Sequence, residues 1–222
     1  MEPIGEIFAE LDRMQKTCTE EEIEEWLVLK CRQSEQEEPA DPLIISSLYN
    51  ELGSFYRHRN KPEKGAEAFL KAKVAAQPFQ DANYATIINN LAGDYRMMGN
   101  YDEAIALFQE AIDLYQKFPE TPKSLVSSGY NNLALVYMDM KQYGKAAELL
   151  QSAAECLAQA EGCYFEKATN YANMAVALYN NKEKDLAIEK VRMADELYKS
   201  GGLETIPEYA AFLKLKEIIE GA

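Results

Sequence analysis

The chain has 222 residues, of which 37 are acidic and 23 are basic, so its formal net charge at pH 7 is −14. This negative charge argues against nucleic acid as a partner, because phosphate binding needs a basic surface. The start, Met1 to Pro3, has no basic segment before an apolar core, and the longest apolar runs are six residues, such as 174–179. A membrane span needs about 20 apolar residues, so we expect a cytoplasmic protein without a membrane partner.

The acidic excess belongs to the first 41 residues, which hold 13 acidic and 4 basic side chains. Apolar residues recur at helical spacing from Ile4 to Met14, and Thr19 with Glu22 three positions later predicts a capping box that opens a second helix. This pair lacks the pattern of the remaining chain. We therefore interpret it as an N-terminal cap with Trp26 in its core, the alternative being a separate binding element.

The rest of the chain repeats one unit, which is clearest from Tyr130 to Ala154. Its first half places Leu133, Ala134 and Tyr137 on one arc of a helix, and its second half carries another apolar stripe at spacings of three and four. Equivalent positions lie 39, 42 and 41 residues apart, at Leu52, Leu91, Leu133 and Met174. Since neither helix can bury its stripe alone, the copies are expected to stack as helix pairs.

Turn signals separate the two helices of each unit. Gly99 suits the left-handed conformation that ends a helix, and Asn60 at the matching place tolerates it. Pro62 and Tyr101 then take the first position of the next helix. The predicted helix pairs are 42–59 with 62–77, 81–98 with 101–117, 123–140 with 143–160, and 164–180 with 184–199.

After the fourth pair, Gly201 and Gly202 interrupt the pattern and Pro207 opens a last helix. Its predicted inward-facing residues are Tyr209, Phe212, Leu213 and Ile219. We expect one continuous domain, made of an acidic helical cap (1–40), four repeats within 41–200 (about 42–78, 81–118, 123–161 and 164–200) and a C-terminal capping helix (203–222).

The recurring pattern Leu-Ala/Gly, Tyr, Ala, Phe/Leu, Ala resembles the tetratricopeptide repeat, and the long period with Asn-Asn-Leu-Ala is similar to the extended repeats of kinesin light chains. The resemblance covers roughly residues 43–200 and implies an all-α, right-handed solenoid of about 11 helices. Three positions depart from the family pattern. They are Gly65, where the family prefers alanine, Leu178 in place of tyrosine and Val191 in place of a large aromatic residue.

Residues that usually carry chemistry are scarce. His58 is the only histidine, and the sequence has no glycine-rich phosphate loop, no His-Glu-x-x-His motif and no serine nucleophile elbow. The four cysteines, Cys18, Cys31, Cys156 and Cys163, lack the paired spacing of a metal site and are expected to be free thiols. We predict a non-enzymatic protein with no cofactor and no metal site.

A binding surface is predicted on the first helices of the pairs, which line the concave wall in this architecture. Asparagine amides can bond both the N–H and the C=O of an extended peptide backbone, arginine suits a ligand carboxylate, and apolar side chains form pockets in which methionine adapts its shape. Kinesin-light-chain repeats are similar in presenting asparagines to peptides. The predicted peptide-binding residues are Asn50, Asn89, Asn90, Asn131, Asn132, Asn173, Arg57, Arg96, Leu135, Met138 and Tyr179.

Each of these assignments has a structural alternative. Asparagines on neighbouring helices can bond one another and fix the twist of the array. Arg57 and Arg96 can pair with Glu51, Asp94 or another acid, and Tyr179 can turn into the core beside Leu178.

The function predicted is that of an adaptor or scaffold that holds a protein or peptide segment in the groove. A structural role through self-association of the end helices is the first alternative, and a sensor of a small signalling peptide is the second. A third hypothesis is that the acidic front pair folds over Arg57 and Arg96 and occludes the groove.

Overall fold

The structure is a computed structural model that describes residues 3–158 and 160–221. Within those residues the chain forms eleven α-helices and no strand. The helices are α1 (Ile4–Thr17), α2 (Glu20–Gln36), α3 (Pro42–His58), α4 (Pro62–Ala76), α5 (Ala82–Met97), α6 (Tyr101–Lys117), α7 (Lys123–Asp139), α8 (Tyr143–Leu157), α9 (Tyr164–Asn180), α10 (Lys184–Ser200) and α11 (Pro207–Gly221). The all-α class is confirmed, and the ends of α3 to α10 fall within three residues of the predicted ones.

The chain divides into two compact units, 1–107 and 108–222, and the boundary falls inside α6. Unit 1 contains α1 to α5 and the start of α6; unit 2 contains the rest of α6 and α7 to α11. Helices pack in pairs within each unit: α3 with α4 in unit 1, and α7 with α8 and α9 with α10 in unit 2. None of the helices in the described residues is both long and apolar enough to cross a membrane.

One turn geometry joins the two helices of every pair from α3 to α10. The second residue after the first helix has a positive φ, 56° at Asn60 and 80° at Gly99, as predicted. The same conformation occurs at Lys141 and Lys182, where the sequence offers no glycine or asparagine to indicate it. In each turn the next N–H bonds back to a carbonyl five residues earlier, as Lys61 does to Tyr56 at 3.0 Å.

The core of each unit is built around small residues that let helices approach closely. In unit 1, Phe69 is fully buried with Ala66 and Leu91, and its ring lies against Gly53. In unit 2, helix contacts are lined by fully buried alanines, among them Ala134, Ala146, Ala153, Ala175, Ala187 and Ala194. The buried residues of both units follow the predicted helical spacing.

The acidic front helix α2 packs on α3, and its carboxylates pair with cations of α4 and of the turn between α3 and α4. The pairs are Glu20 with Arg59 at 3.0 Å, Glu24 with Lys61 at 3.5 Å and with Lys64 at 3.3 Å, and Glu35 with Lys71 at 3.3 Å. The predicted capping box of Thr19 and Glu22 is present. The acids of α2 thus contact cations other than Arg57, whose partners lie on α5.

Two predicted core residues prove to lie at the edge of the core. Trp26 is only half-buried, because Ile23 and Leu27 occupy the inner face of α2 and Trp26 flanks them under the ammonium of Lys30. Leu213 is 39% exposed, because Phe212 before it takes the inward position and the next residue points about 100° away.

The last helix, α11, packs on α10 through Tyr209 and Phe212, whose rings lie 5.3 Å and 5.1 Å from that of Tyr198. Asp195 of α10 anchors it. This buried carboxylate accepts hydrogen bonds from the Tyr209 hydroxyl at 2.9 Å and from the Lys216 and Lys199 ammonium groups at 2.6 and 3.0 Å. Burial acts to raise the pKa of the Asp195 carboxyl, but these three hydrogen bonds outweigh it and hold that pKa below its usual value.

Candidate functional site

In each unit, the first helices of two successive pairs lie side by side: α3 and α5 in unit 1, α7 and α9 in unit 2. Asn50 and Arg57 are seven residues apart, two turns of α3, and therefore lie on one face of it. Asn90 of α5 meets that face. The predicted site residues are thus brought together across neighbouring helices within a unit.

The α3–α5 polar contact consists of Asn50, Arg57 and Asn90. The Asn90 amide donates a hydrogen bond to Asn50 Oδ1 at 2.9 Å. The Arg57 guanidinium donates two, to the backbone carbonyl of Asn90 at 3.0 Å and to its Oδ1 at 3.2 Å. Asn90 is therefore held on both sides. The amide of Asn50 donates no hydrogen bond within the described residues, which leaves its two N–H groups for a ligand.

Asp94 lies beneath this contact, one turn after Asn90 on α5, with no exposed surface. Its Oδ1 is 3.9 Å from Arg57 Nε, beyond hydrogen-bond distance, and neither carboxylate oxygen has a hydrogen bond within the described residues. Burial raises the pKa of the Asp94 carboxyl to about 7; the charge of Arg57 opposes the rise and that of Glu63 adds to it. Burial also lowers the pKa of Arg57, and Asp94 opposes that change.

Two glycines make room for this buried pair. A Cβ at Gly65 of α4 would overlap Asp94 Oδ2, and one at Gly93 would lie 2.9 Å from a terminal nitrogen of Arg57. The departure from alanine at position 65 therefore has a physical reason. Of the two partners predicted as alternatives for Arg57, the structure shows Asp94, which the sequence indicated only as a surface acid.

The α7–α9 polar contact of unit 2 consists of Asn131 and Asn173. The Asn173 amide donates to Asn131 Oδ1 at 3.0 Å, and the Asn131 amide donates to no group among the described residues. The predicted apolar residues on the same two helices, Leu135 and Met138 of α7 and Tyr179 of α9, are all half-buried. The α7–α9 polar contact therefore offers a partly exposed amide donor, and it lacks the arginine and aspartate of the contact in unit 1.

The remaining predicted residues divide by burial. Asn90, Asn132 and Arg96 are half-buried, as are Asn50, Asn131, Asn173 and Arg57. Asn89 needs correction: it is only 9% exposed, because it lies on the side of α5 that packs into unit 1, so it offers little surface to a ligand. The structural alternative, in which asparagines of neighbouring helices bond one another, is present at Asn50–Asn90 and at Asn131–Asn173.

Two open pockets of unit 2 lie elsewhere. One of 560 Å³ is formed by the C-terminal ends of α8 and α10 and the start of α9, and one of 690 Å³ lies between α6, α7 and the end of α8. The first is lined by Asn170, a buried asparagine that the sequence analysis missed, whose amide donates to the Leu150 carbonyl at 3.1 Å. Its Oδ1 is inaccessible. Neither pocket is lined by Asn131 or Asn173.

The tetratricopeptide-repeat family matches residues 44–117 and again residues 90–161, so the two matches together span just over half of the chain. No curated protein matches it significantly.

Solved structures with similar folds include BtubC, a putative kinesin light chain and a quorum sensor. BtubC (BKLC) from P. vanneervenii is 18% identical with a TM-score of 0.78, covering 89% of this chain and 82% of that one. A putative kinesin light chain of P. anserina with nearly identical repeats is 17% identical with a TM-score of 0.70, covering 90% and 99%. The apo form of the quorum sensor NprR from B. thuringiensis is 16% identical with a TM-score of 0.71, covering 96% and 57%. The expected resemblance to kinesin-light-chain-like repeats is thereby confirmed at the level of the fold.

Proposed function

Because this chain belongs to the tetratricopeptide-repeat proteins, we propose that it binds an extended segment of another protein along the first helices of its pairs and acts as a cytoplasmic, non-enzymatic adaptor or scaffold. The observation that supports this most is the pair of partly exposed asparagine amides, Asn50 in unit 1 and Asn131 in unit 2, that donate no hydrogen bond within the described residues. Such donors suit the carbonyl groups of an extended peptide.

In unit 2 the ligand would lie over α7 and α9. Asn131 would donate to a peptide carbonyl, and Leu135, Met138 and Tyr179 would contact apolar side chains of the ligand. These three are half-buried, so each has surface that a ligand can cover without rearrangement of the core. The flexible thioether of Met138 allows the pocket to fit side chains of different shape.

In unit 1 the ligand would lie over α3 and α5. Asn50 would donate to a carbonyl, and Arg57, whose side chain is 24% exposed, would face an acidic group. Two of the five guanidinium N–H groups are committed to Asn90, which leaves others for a ligand carboxylate. Asn90 would act by holding Arg57 in place.

The test uses a displayed library of random peptides, selected on the immobilised protein and followed by synthesis of the enriched sequences. Fluorescence anisotropy would then compare the wild type with the double variant Asn50→Ala/Asn131→Ala and with Asn180→Ala. Asn180 is a matched control, because it lies exposed on α9 and its amide donates only to Val176 of its own helix. A hydrogen bond contributes about 0.5–1.5 kcal/mol, so loss of both should weaken binding about 10-fold with the control unchanged. Equal affinities of the three proteins would refute the assignment.

A second candidate is a sensor of a free signalling peptide, which the likeness to a protein described as a quorum sensor favours. The two proposals differ in the ligand. A sensor should bind a free peptide of about five to ten residues as tightly as the same sequence within a protein. An adaptor should bind the embedded segment at least equally well. Anisotropy with the enriched peptide, free and fused to a carrier protein, separates them.

A further inference from the structure

Among the residues that the structure describes, two aspartates are buried, Asp94 and Asp195, and their surroundings are opposite. Asp195 of unit 2 accepts hydrogen bonds from Lys216, Lys199 and Tyr209. Asp94 of unit 1 is more deeply buried and accepts none within the described residues. An ionised carboxylate that is buried without hydrogen bonds is strongly disfavoured unless it is paired. Protonation of Asp94 relieves that penalty, whereas at Asp195 the three hydrogen bonds outweigh the effect of burial and keep its pKa below the usual value.

The cation nearest to Asp94 is Arg57, which contacts both Asn90 and Asp94. The terminal nitrogens of Arg57 donate to Asn90, and only Nε faces Asp94, at 3.9 Å. To bond the carboxylate directly, the guanidinium would have to move away from Asn90 and the surface. The side chain therefore stands between a buried acid on one side and a partly exposed surface of the proposed binding site on the other.

We propose that Arg57 and Asp94 form a proton-operated switch at the α3–α5 polar contact. With Asp94 protonated, Arg57 presents an uncompensated positive charge to a ligand carboxylate. With Asp94 ionised, the pair is neutral and the attraction is weakened. The titration is a property of the free protein, whereas its effect on a peptide rests on the proposed function.

The charged groups around Asp94 set the range in which it titrates. Arg57 comes from α3 and Glu63 from the first turn of α4. Arg96 lies two residues further along α5, and the α6 residues Asp102 and Glu103 are exposed. Burial is the largest influence and places the pKa of Asp94 at about 7, so its charge changes near neutral pH.

Protonation of Asp94 and binding of an acidic ligand should favour each other. A carboxylate bound at Arg57 takes over part of the attraction that stabilises ionised Asp94, so ligand binding favours the protonated form. Binding therefore takes up a proton, and by reciprocity a fall in pH from about 8 to about 6 strengthens binding of an acidic ligand. A ligand without a carboxylate at this position should show no such dependence.

The first experiment needs no ligand. Protein labelled with carbon-13 at the aspartate carboxyl groups is titrated by NMR between pH 3 and pH 9. We expect one resonance that titrates near pH 7 and is absent from the isosteric variant Asp94→Asn. The resonance lost in Asp195→Asn should titrate below the usual range and serves as the internal control. Titration of Asp94 near the ordinary value of about 4 would overturn the switch.

The second experiment uses acetate as the probe and the Nε–H signal of Arg57 as the readout, at constant ionic strength and at pH 5.8 and 8.2. In the wild type, acetate should shift this signal at a several-fold lower concentration at pH 5.8. In Asp94→Asn the two curves should coincide. His58→Asn removes the neighbouring histidine and should behave as the wild type does. Coincident wild-type curves would refute the switch.

The experiments can overturn the switch and the proposed function independently of each other. If Asp94 titrates near neutral pH and acetate binding follows it, but the library yields no peptide, the peptide-binding proposal is wrong and the switch stands. If the library yields peptides that depend on Asn50 and Asn131 while Asp94 titrates like an ordinary carboxyl, only the switch is overturned.

Discussion

Gly65 and Asp94 face each other on neighbouring helices, and each explains why the other residue type fits at its position. The glycine removes the one carbon that would overlap the carboxylate, and the carboxylate occupies the space that an alanine methyl would otherwise fill. Gly65 could be recognised from the sequence as a departure from the repeat pattern. Its cause could not, because the facing residue lies 29 positions away and its burial depends on how α4 and α5 pack.

A double-mutant cycle tests this pairing. In the wild type, Gly65→Ala should lower the free energy of unfolding by about 1–3 kcal/mol, as overpacking generally does. In an Asp94→Ala background the same change should be neutral or stabilising by up to about 1 kcal/mol, because the methyl group fills vacated space and alanine favours the helix. Urea denaturation measures both. An equal effect in the two backgrounds would mean that the residues do not meet.

Asp94 should also make stability depend on pH. Its pKa is raised in the folded state to about 7, whereas an unfolded aspartate has a pKa of about 3.9. The folded state therefore binds the proton more tightly, and the stabilisation is complete below about pH 4 and lost as pH rises through about 7.

Chemical denaturation between pH 5 and pH 8 should accordingly show the wild type losing about 1–3 kcal/mol relative to Asp94→Asn as pH rises. The two proteins share all other titrating groups, so the contributions of those groups cancel in the difference between the two free energies of unfolding. Parallel profiles would show that the carboxyl is not perturbed.

The asparagines show which features of the candidate site could be predicted from single residues. Their type and spacing placed Asn50, Asn90, Asn131 and Asn173 at the contacts between first helices, where they lie. The sequence could not decide between ligand binding and mutual bonding, because both use the same amide groups. It also could not show that Asn89, next to Asn90, points into the packed side of α5.

At the scale of the helix, boundaries were predictable because they depend on local signals. Capping by Thr19 and Glu22, proline at the first position of α4 and the turn at Gly99 act within a few residues. Lys141 and Lys182 adopt the same turn without such a signal, so there the packing of the two helices imposes the conformation. Trp26 and Leu213 were misplaced, since each is adjacent to an inward stripe that its neighbours already fill.

Close helix approach predicts a sharp sensitivity at Gly53. A Cβ there would lie 2.7 Å from the ring of Phe69, which is fully buried. We expect Gly53→Ala to lower the free energy of unfolding by about 1–3 kcal/mol. Gly144→Ala in α8 is the control, because its nearest atoms lie at 3.8 Å, an ordinary contact distance. Thermal denaturation in which both variants match the wild type would contradict this packing.

For the whole molecule, the strong negative charge is less informative than its distribution. Several carboxylates of α2 pair with lysines of α4 and with Arg59 and Lys61 of the turn before it, at partly exposed positions. Such pairs contribute little each. The repeat period predicted the all-α fold because it records which surfaces must cover one another. It carries no information on the ligand, which is selected by a few exposed groups.

Self-association of the end helices stays an alternative for the whole molecule. Ile218 and Leu213 of α11 are 59% and 39% exposed, so this helix presents apolar side chains to solvent. Light scattering over a range of concentrations tests it. A discrete oligomer that is lost in Leu213→Glu/Ile218→Glu would favour this role, and a monomer throughout would remove it.

The proposed function requires that the first helices of the pairs form the surface that binds peptide. The most direct measurement is the affinity of a library-selected peptide for the wild type, Asn50→Ala/Asn131→Ala and Asn180→Ala, with urea denaturation to confirm that all three are folded. We expect about 10-fold weaker binding for the double variant alone. The same affinity for all three folded proteins would contradict the proposed function.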